Sequence, residues 1–501
     1  MADRLDEVFR RYTDAVRSRL QDRGKRQTRQ GPLRLLANRG MELQALAEEL
    51  ENEAEFHQLV LETYSLFSRS APDKNRLEWG WQQAVENFFR RSGYYVDVYD
   101  GEITNVDATF RSYLQAFRRS EVQSTYLALM EFAQFRDQSM DFGTFQIRRF
   151  PTDELNVICG NRVNEVFYPW ATLDVKKLRA YWFICVTEQT SRPPVDLLDT
   201  PIEDPQEFYL IRRRYTHYPK ALELILQQLA LFDWQPVWSE EPSVENEREK
   251  EWGRFWIPFV FRVDDNLLSS PGLAPDLSGL ALDVATNARG EEIEVPGIGI
   301  VLDDAATEAF KAFIRRAGDL LRCLRAKQNG WEFVEVALGY FIKGFFTNDG
   351  LEQMLWHITT LEALLGEKGE PVTKRLTRRI ASIFGKSEGE RKATRKQFKE
   401  LYEFRSDLVH GNPFQKQVYV GHLRNARNLA RRTLLWFLHY LNYIQARFSS
   451  SQPTKGIPTR EEILALIDLD PDSRVRIAQL VENLPSEFPY VSEWMEMSRG
   501  H

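Results

Sequence analysis

Apolar residues recur at every third or fourth position from Asp303 onward, which is the pattern of amphipathic helices. Gly366, Gly385 and Gly411 stand where three of these helices should end. The predicted helices cover residues 307–327, 349–365, 372–384, 392–409 and 421–448. Several helices joined by short turns predict an all-α bundle.

Residues 74–300 show a different pattern, with short runs of β-branched and aromatic residues. Strands are predicted at 94–99, 125–135, 142–150, 181–186 and 255–261, and helices at 77–91 and 218–231. Pro258 cannot donate a ladder hydrogen bond, so the last of these strands is expected at a sheet edge. The Gly- and Pro-rich stretch 269–299 is interpreted as surface loop or linker. We expect an α+β domain with a largely antiparallel sheet.

The two ends of the chain look helical as well. Residues 1–73 predict helices around a basic break, and 449–501 predict a linker and a tail with helices opening at the Thr459-x-x-Glu462 capping box and over 472–483. The predicted fold class is therefore α+β multidomain. Its segments are N-terminal helices (1–73), a central, mostly antiparallel sheet domain (74–300), a C-terminal helical bundle (301–448) and a tail (449–501).

Composition narrows the class of protein. The 501 residues are 43% hydrophobic and 28% charged, which suits a globular chain of several domains. No apolar run is long enough to cross a membrane and the N-terminus does not look like a signal peptide, so we expect a cytoplasmic protein without membrane contact. The three cysteines form no C-x-x-C motif and no Cys/His cluster, so we expect neither a metal nor a cofactor.

Charge is distributed unevenly along the chain. The net charge is -7, yet residues 366–432 contain seventeen Lys plus Arg against seven Asp plus Glu, a local balance of +10. Such a region is the electrostatic footprint expected of a site that meets a polyanion. Arg424, Arg427 and Arg431 recur at helical spacing there and are the predicted RNA-binding residues. A solvated bundle surface is the alternative.

Candidate chemistry lies at the end of the fourth predicted helix of the bundle, in the segment from Leu401 to Asn412. Arg405 and His410 stand five residues apart, just before Gly411. An arginine can bind phosphoryl oxygens and a histidine can transfer protons near neutral pH. The usual nucleotide-binding and hydrolase motifs, G-x-x-x-x-G-K-[ST], H-E-x-x-H and G-x-S-x-G, do not occur in the chain.

Helix geometry limits what this pair can do alone. Five residues along an ideal helix are separated by about 140° in azimuth and ~7.5 Å in rise, so the two side chains do not share a face. The long arginine stem, the end of the helix or a second copy of the chain must bring them together.

Three ordered blocks of sequence stand out in the predicted bundle. They are Ile358-Thr359-Thr360-Leu361-Glu362-Ala363-Leu364-Leu365-Gly366, Leu376-Thr377-Arg378-Arg379-Ile380-Ala381 and Tyr402-Glu403-Phe404-Arg405-Ser406-Asp407-Leu408-Val409-His410-Gly411. Together they resemble the HEPN superfamily, and specifically its ApeA-like branch. The similarity covers about 303–448, and the region before it resembles the β-rich N-terminal part of that branch only loosely.

The resemblance implies a helical bundle that forms a homodimer or a higher homo-oligomer. Two Arg-x4-His motifs would then face one cleft and cleave RNA without a metal. Arg405 and His410 are the implied catalytic residues in this chain. Supporting roles are predicted for Glu362, which would orient Arg405, and for Tyr402, Asp407 and Asn412.

The resulting hypothesis is an RNA endonuclease that acts as a toxin or anti-phage defence effector, with the N-terminal α+β part as sensor or restraint. RNA is the expected partner, and a regulatory protein or phage-derived trigger is a further candidate. One alternative is a non-catalytic module that binds RNA or a nucleotide, or only dimerises. Another is a signalling scaffold whose helical ends, 1–70 and 459–495, act as docking arms.

Overall fold

The computed structural model describes a defined part of the chain. The described residues are 121–158, 175–191, 218–234, 255–264, 282–286, 292–296, 298–326, 330–367, 372–385, 387–411, 420–448 and 459–468, with single positions at 7, 111, 115 and 290. The helices predicted within 1–73 and at 77–91, the strand at 94–99 and the tail helix at 472–483 lie outside these residues.

Nine strands and ten helices are defined in this part of the chain. In chain order they are β1 (Glu121–Met130), β2 (Phe132–Phe135), β3 (Ser139–Asp141), β4 (Phe145–Arg148), α1 (Thr152–Ile158), α2 (Val175–Leu178), β5 (Trp182–Ser191), α3 (Lys220–Ala230), β6 (Val260–Asp264), β7 (Leu282–Thr286), β8 (Glu292–Pro296), β9 (Ile298–Leu302), α4 (Asp304–Arg325), α5 (Glu332–Phe346), α6 (Gly350–Leu365), α7 (Val372–Phe384), α8 (Glu388–His410), α9 (Val420–Phe448) and α10 (Arg460–Asp468).

The chain divides into two compact units that alternate along the sequence. The first unit comprises 1–129, 144–212 and 257–295, and the second comprises 130–143, 213–256 and 296–501. This grouping differs from the linear boundaries predicted from sequence, because segments on both sides of residue 300 pack together in the second unit.

An antiparallel sheet forms the described core of the first unit, as predicted. Its strands lie in the order β4-β5-β1-β6, with Phe145 opposite Val186 and Ser124 opposite Asp264 in antiparallel register. Pro258 precedes β6, which lies at the edge of the described sheet. One face buries a cluster made of Leu127, Leu129, Phe150, Leu155, Leu178, Tyr181 and Phe183.

The interpretation of 269–299 as loop or linker is wrong for three segments. β7 pairs with β8 in a two-stranded sheet of the first unit, and β9 pairs in parallel with β2 in the second. Glycine marks the turn rather than the whole stretch, since Gly290 has φ 78° between β7 and β8, a conformation that favours glycine.

The second unit is mostly helical, and α6 is its central element. This helix packs against α5, α7, α8 and α9, while α3 packs against α4 and α5. The five predicted C-terminal helices are confirmed, and α5 is an additional helix that the apolar pattern did not predict. Phe232, just after α3, packs against Phe310 of α4, with ring centroids 5.0 Å apart. None of the described helices combines the length and the apolar character needed to cross a membrane.

Candidate functional site

Helix α8 carries the predicted catalytic pair, and both of its ends are fixed locally. Ser387 and Glu390 form a capping box, in which the Ser387 hydroxyl accepts from the Glu390 amide at 3.2 Å. The helix ends at His410 because Gly411 adopts the left-handed conformation, with φ 66°. The glycine stop predicted from sequence is therefore confirmed.

Arg405 lies on the side of α8 that faces α6. Its side chain is 25% exposed, and its Nη2 lies 3.5 Å from Glu362 Oε1. The guanidinium also lies over the Tyr402 ring, 5.6 Å from the ring centroid. Its Nε is buried and has no hydrogen-bond partner within the described part of the chain. Arg405 is thus held in place by one long ion pair and one aromatic face, and N–H donors of its guanidinium remain available.

Glu362, which was predicted to orient Arg405, contacts both Arg405 and Tyr402. The Tyr402 hydroxyl donates to Glu362 Oε1 at 2.9 Å, the same oxygen that faces Arg405. Burial raises the pKa of Tyr402 to about 12, helped by the charge of Glu362 and by this hydrogen bond. Tyr402 therefore remains a protonated donor at neutral pH.

His410 occupies a different environment from Arg405. It is exposed in the last turn of α8, and the neighbouring Val409 is 50% exposed. One copy of α8 does not place the two side chains on one face, as the helical spacing predicts. Asp407 is half-buried and its carbonyl accepts from the Gly411 amide at the helix end. Asn412 lies outside the described residues.

The predicted row of RNA-binding arginines does not form an accessible face. Arg424 is exposed, whereas Arg427 is 7% exposed and lies over the Phe345 ring at 4.5 Å. Arg431 is 6% exposed and donates to Asp233 at 2.6 Å. The expectation is wrong for these two because packing against the rest of the second unit uses their guanidinium groups.

Three exposed lysines on α8 were not singled out by sequence reasoning. Lys392, Lys396 and Lys399 are exposed, and Lys399 lies 3.4 Å from Glu403. Lys392 and His410 are eighteen residues apart, which is five turns of an ideal helix, so they share one face of α8. Helical spacing counted back from His410 could have identified this face.

A buried charge cluster near Glu362 was also missed. Arg379 is 2% exposed and donates to Asp468 at 2.6 Å and to Glu367 at 2.9 Å. Arg379 and Asp468 are 89 residues apart in sequence. No periodicity or motif connects residues at that separation, so sequence reasoning had no signal for this pair.

Within the described ranges, no group of His, Cys, Asp and Glu side chains is arranged to hold a metal ion. Comparison of the chain with family models, with curated proteins and with solved structures finds no match. Function is therefore inferred from the residues of α6 and α8 themselves.

Proposed function

We propose that the chain is a metal-independent RNA endonuclease, built on a HEPN-like helical bundle and acting as a toxin or anti-phage effector. One observation carries the proposal. A partly satisfied arginine, held by Glu362 and Tyr402, and an exposed histidine stand on the same helix, α8, which ends immediately after the histidine.

The chemistry follows from what RNA supplies. The 2′-hydroxyl is an internal nucleophile, so its oxygen attacks the neighbouring phosphorus while the bond to the 5′-oxygen breaks. One His410 imidazole takes the 2′-hydroxyl proton, and a second, protonated His410 gives a proton to the leaving oxygen. Arg405 stabilises the additional negative charge on the phosphorane oxygens through its N–H donors.

Two acid/base groups require two copies of the chain, because each α8 contributes one His410. A homodimer that brings two α8 ends to one cleft supplies both imidazoles and both guanidinium groups.

Electrostatics support a polyanionic substrate. Lys392, Lys396 and Lys399 extend along the His410 face of α8, and all three are exposed. Phosphate contacts of this type act over about a Debye length, ~8 Å at physiological salt, so local charge matters more than the net value. An RNase of this kind must be restrained in its host, and the N-terminal α+β part, residues 74–300, is the proposed sensor or restraint.

The test is cleavage of RNA by the purified full-length chain in EDTA, with analysis of product ends and of oligomeric state. We expect 2′,3′-cyclic phosphate ends, a dimeric mass and loss of cleavage in His410→Ala. Glu400→Ala, an exposed change on the same helix, serves as the matched control and should cleave like wild type. Equal cleavage by His410→Ala would remove the assignment.

A non-catalytic RNA-binding or dimerisation module is the second candidate. The contacts of Arg405 with Glu362 and Tyr402 favour it, since the same contacts would serve a purely structural arginine. Salt-sensitive RNA binding by the wild-type chain without product formation would select this candidate.

A further inference from the structure

Helix α10 is a formed element that packs against α7 within the second unit. Its first turn is capped reciprocally, because the Thr459 amide donates to Glu462 at 2.8 Å and the Glu462 amide donates to Thr459 at 3.3 Å. Its apolar face is buried through Ile463, Leu464 and Ile467. This part of the tail is therefore docked on its own chain.

The end of α10 holds a buried arginine of α7. Arg379 donates Nη2 to Asp468 Oδ2 at 2.6 Å, and Arg378 lies 2.9 Å from the other carboxylate oxygen. Arg379 also donates Nη1 to the Leu365 carbonyl at 2.6 Å. Burial disfavours the Asp468 carboxylate, but hydrogen bonds and charge from Arg379 and Arg378 outweigh it and keep the pKa of Asp468 below its ordinary value.

The start of α10 reaches the same place on α6. Arg460 donates to the Ala363 carbonyl at 3.0 Å and to the Gly366 carbonyl. The last four carbonyls of a helix have no partner within that helix. Arg460 and Arg379 thus satisfy carbonyls at the C-terminal end of α6 that would otherwise lack protein donors.

Glu362 belongs to this last turn of α6. Its carbonyl accepts from the Gly366 amide at 2.7 Å, while its carboxylate contacts Tyr402 and Arg405. A continuous set of contacts therefore runs from α10, through the end of α6, to the arginine of the candidate site.

We infer that α10 is a positioning element of this site, and that Arg460 is a positioning residue for Arg405, acting through the last turn of α6 and Glu362. The inference rests on the proposed function for its catalytic meaning. Without Arg460 the last turn of α6 loses the hydrogen bond at Ala363 and its C-cap loses the one at Gly366, and Glu362 no longer holds Arg405 where negative charge develops.

The experiment is a double-mutant cycle on RNA cleavage by the full-length chain, with Arg460→Ala, Glu362→Gln and the combined variant. We expect Arg460→Ala to lower kcat about tenfold with little change in KM, and to have almost no further effect in the Glu362→Gln background. Arg460→Lys, which keeps a donor near the same carbonyls, should recover part of the rate. Ala465→Ser, an exposed change on α10, is the matched control.

A purely structural role predicts something different. Lost stability would lower activity by the same factor in both backgrounds, and that result would overturn the inference. Hydrogen exchange of the peptide 360–367 gives a readout that needs no RNA. We expect faster exchange there in Arg460→Ala than in wild type, and unchanged exchange would overturn the inference that Arg460 holds the end of α6. An inactive wild-type chain would instead remove the proposed function, and with it the catalytic meaning of these contacts.

Discussion

At the scale of single residues, the state of Arg405 decides what the site can do. A guanidinium has five N–H donors, and the described contacts of Arg405 are one ion pair at 3.5 Å and one aromatic face. Both members of the pair are about a quarter exposed, and such pairs contribute only about 0–1 kcal/mol. The pair therefore orients Arg405 without consuming its capacity to bind phosphate.

Replacing Glu362 by Gln should separate the effect of the carboxylate charge on Arg405 from the effect of the hydrogen bond with Tyr402. The amide oxygen can still accept from Tyr402, but the charge that attracts Arg405 is lost. We expect kcat to fall about tenfold with KM nearly constant, because the proposed role of Arg405 is to stabilise charge that develops in the transition state. Steady-state kinetics on an RNA substrate measures both quantities.

Tyr402→Phe is the control for this prediction. It removes the hydroxyl that donates to Glu362 and leaves the ring under Arg405 in place. We expect a smaller loss of kcat than in Glu362→Gln. A larger loss in Tyr402→Phe would mean that the phenol, rather than the carboxylate charge, orients Arg405.

Part of this site could be predicted from the sequence. The order of Arg405, His410 and Gly411 along one helix follows from local spacing, and the structure places Glu362, the residue predicted to orient Arg405, 3.5 Å from its guanidinium. The environment of the neighbouring arginines could not be predicted in this way. Helical spacing locates Arg431 on a face of α9, but only packing shows that Asp233, 198 residues earlier, occupies that face.

At the scale of elements, the sequence pattern failed to predict one helix, α5, and three strands, β7, β8 and β9. An amphipathic helix such as α4 has one apolar and one polar face, so apolar residues recur every three or four positions in its sequence. Helix α5 is apolar nearly all round and shows little of this periodicity. Nine of its fifteen residues are buried, because α3, α6 and α9 all pack against it. The strands β7, β8 and β9 were not predicted because they are short and lie among Gly and Pro residues, which are typical of loops.

The buried position of α5 predicts a large cost for truncating its core side chains. Phe341 is fully buried, so Phe341→Ala should lower the free energy of unfolding by about 3–5 kcal/mol. Glu335→Ala, an exposed change on the same helix, should stay within about 0.5 kcal/mol of wild type. Denaturant unfolding compares the two, and a Phe341→Ala cost near that of the control would contradict the described packing.

At the scale of the whole molecule, the second unit is not a continuous piece of chain. Strand β2 pairs with β9, and Phe232 and Trp234 pack against Phe310 of α4. A fragment that starts at residue 301 would lack these partners and would expose the apolar face of α4. Experiments on the candidate site therefore need the full-length chain.

A buried histidine should make this molecule sensitive to mild acid. His439 on α9 is 4% exposed, and burial, with a smaller effect of Arg316, lowers its pKa to about 3. The unfolded chain binds this proton near pH 6.5, but the folded chain does so only near pH 3. The stabilising effect of the neutral imidazole is thus fully present above about pH 6.5 and is lost as the pH falls toward 3.

Replacing His439 by Gln removes this titration and should flatten the dependence of stability on pH. Below about pH 6.5 this group costs the wild type stability with each further pH unit, so between pH 7.5 and pH 4.5 the wild type should lose on the order of 3 kcal/mol. Ala465→Ser, an exposed change that removes no titratable group, should keep the wild-type slope. Urea unfolding between pH 7.5 and 4.5 measures all three, and parallel curves for wild type and His439→Gln would show that the folded chain accommodates a charged imidazole at this position.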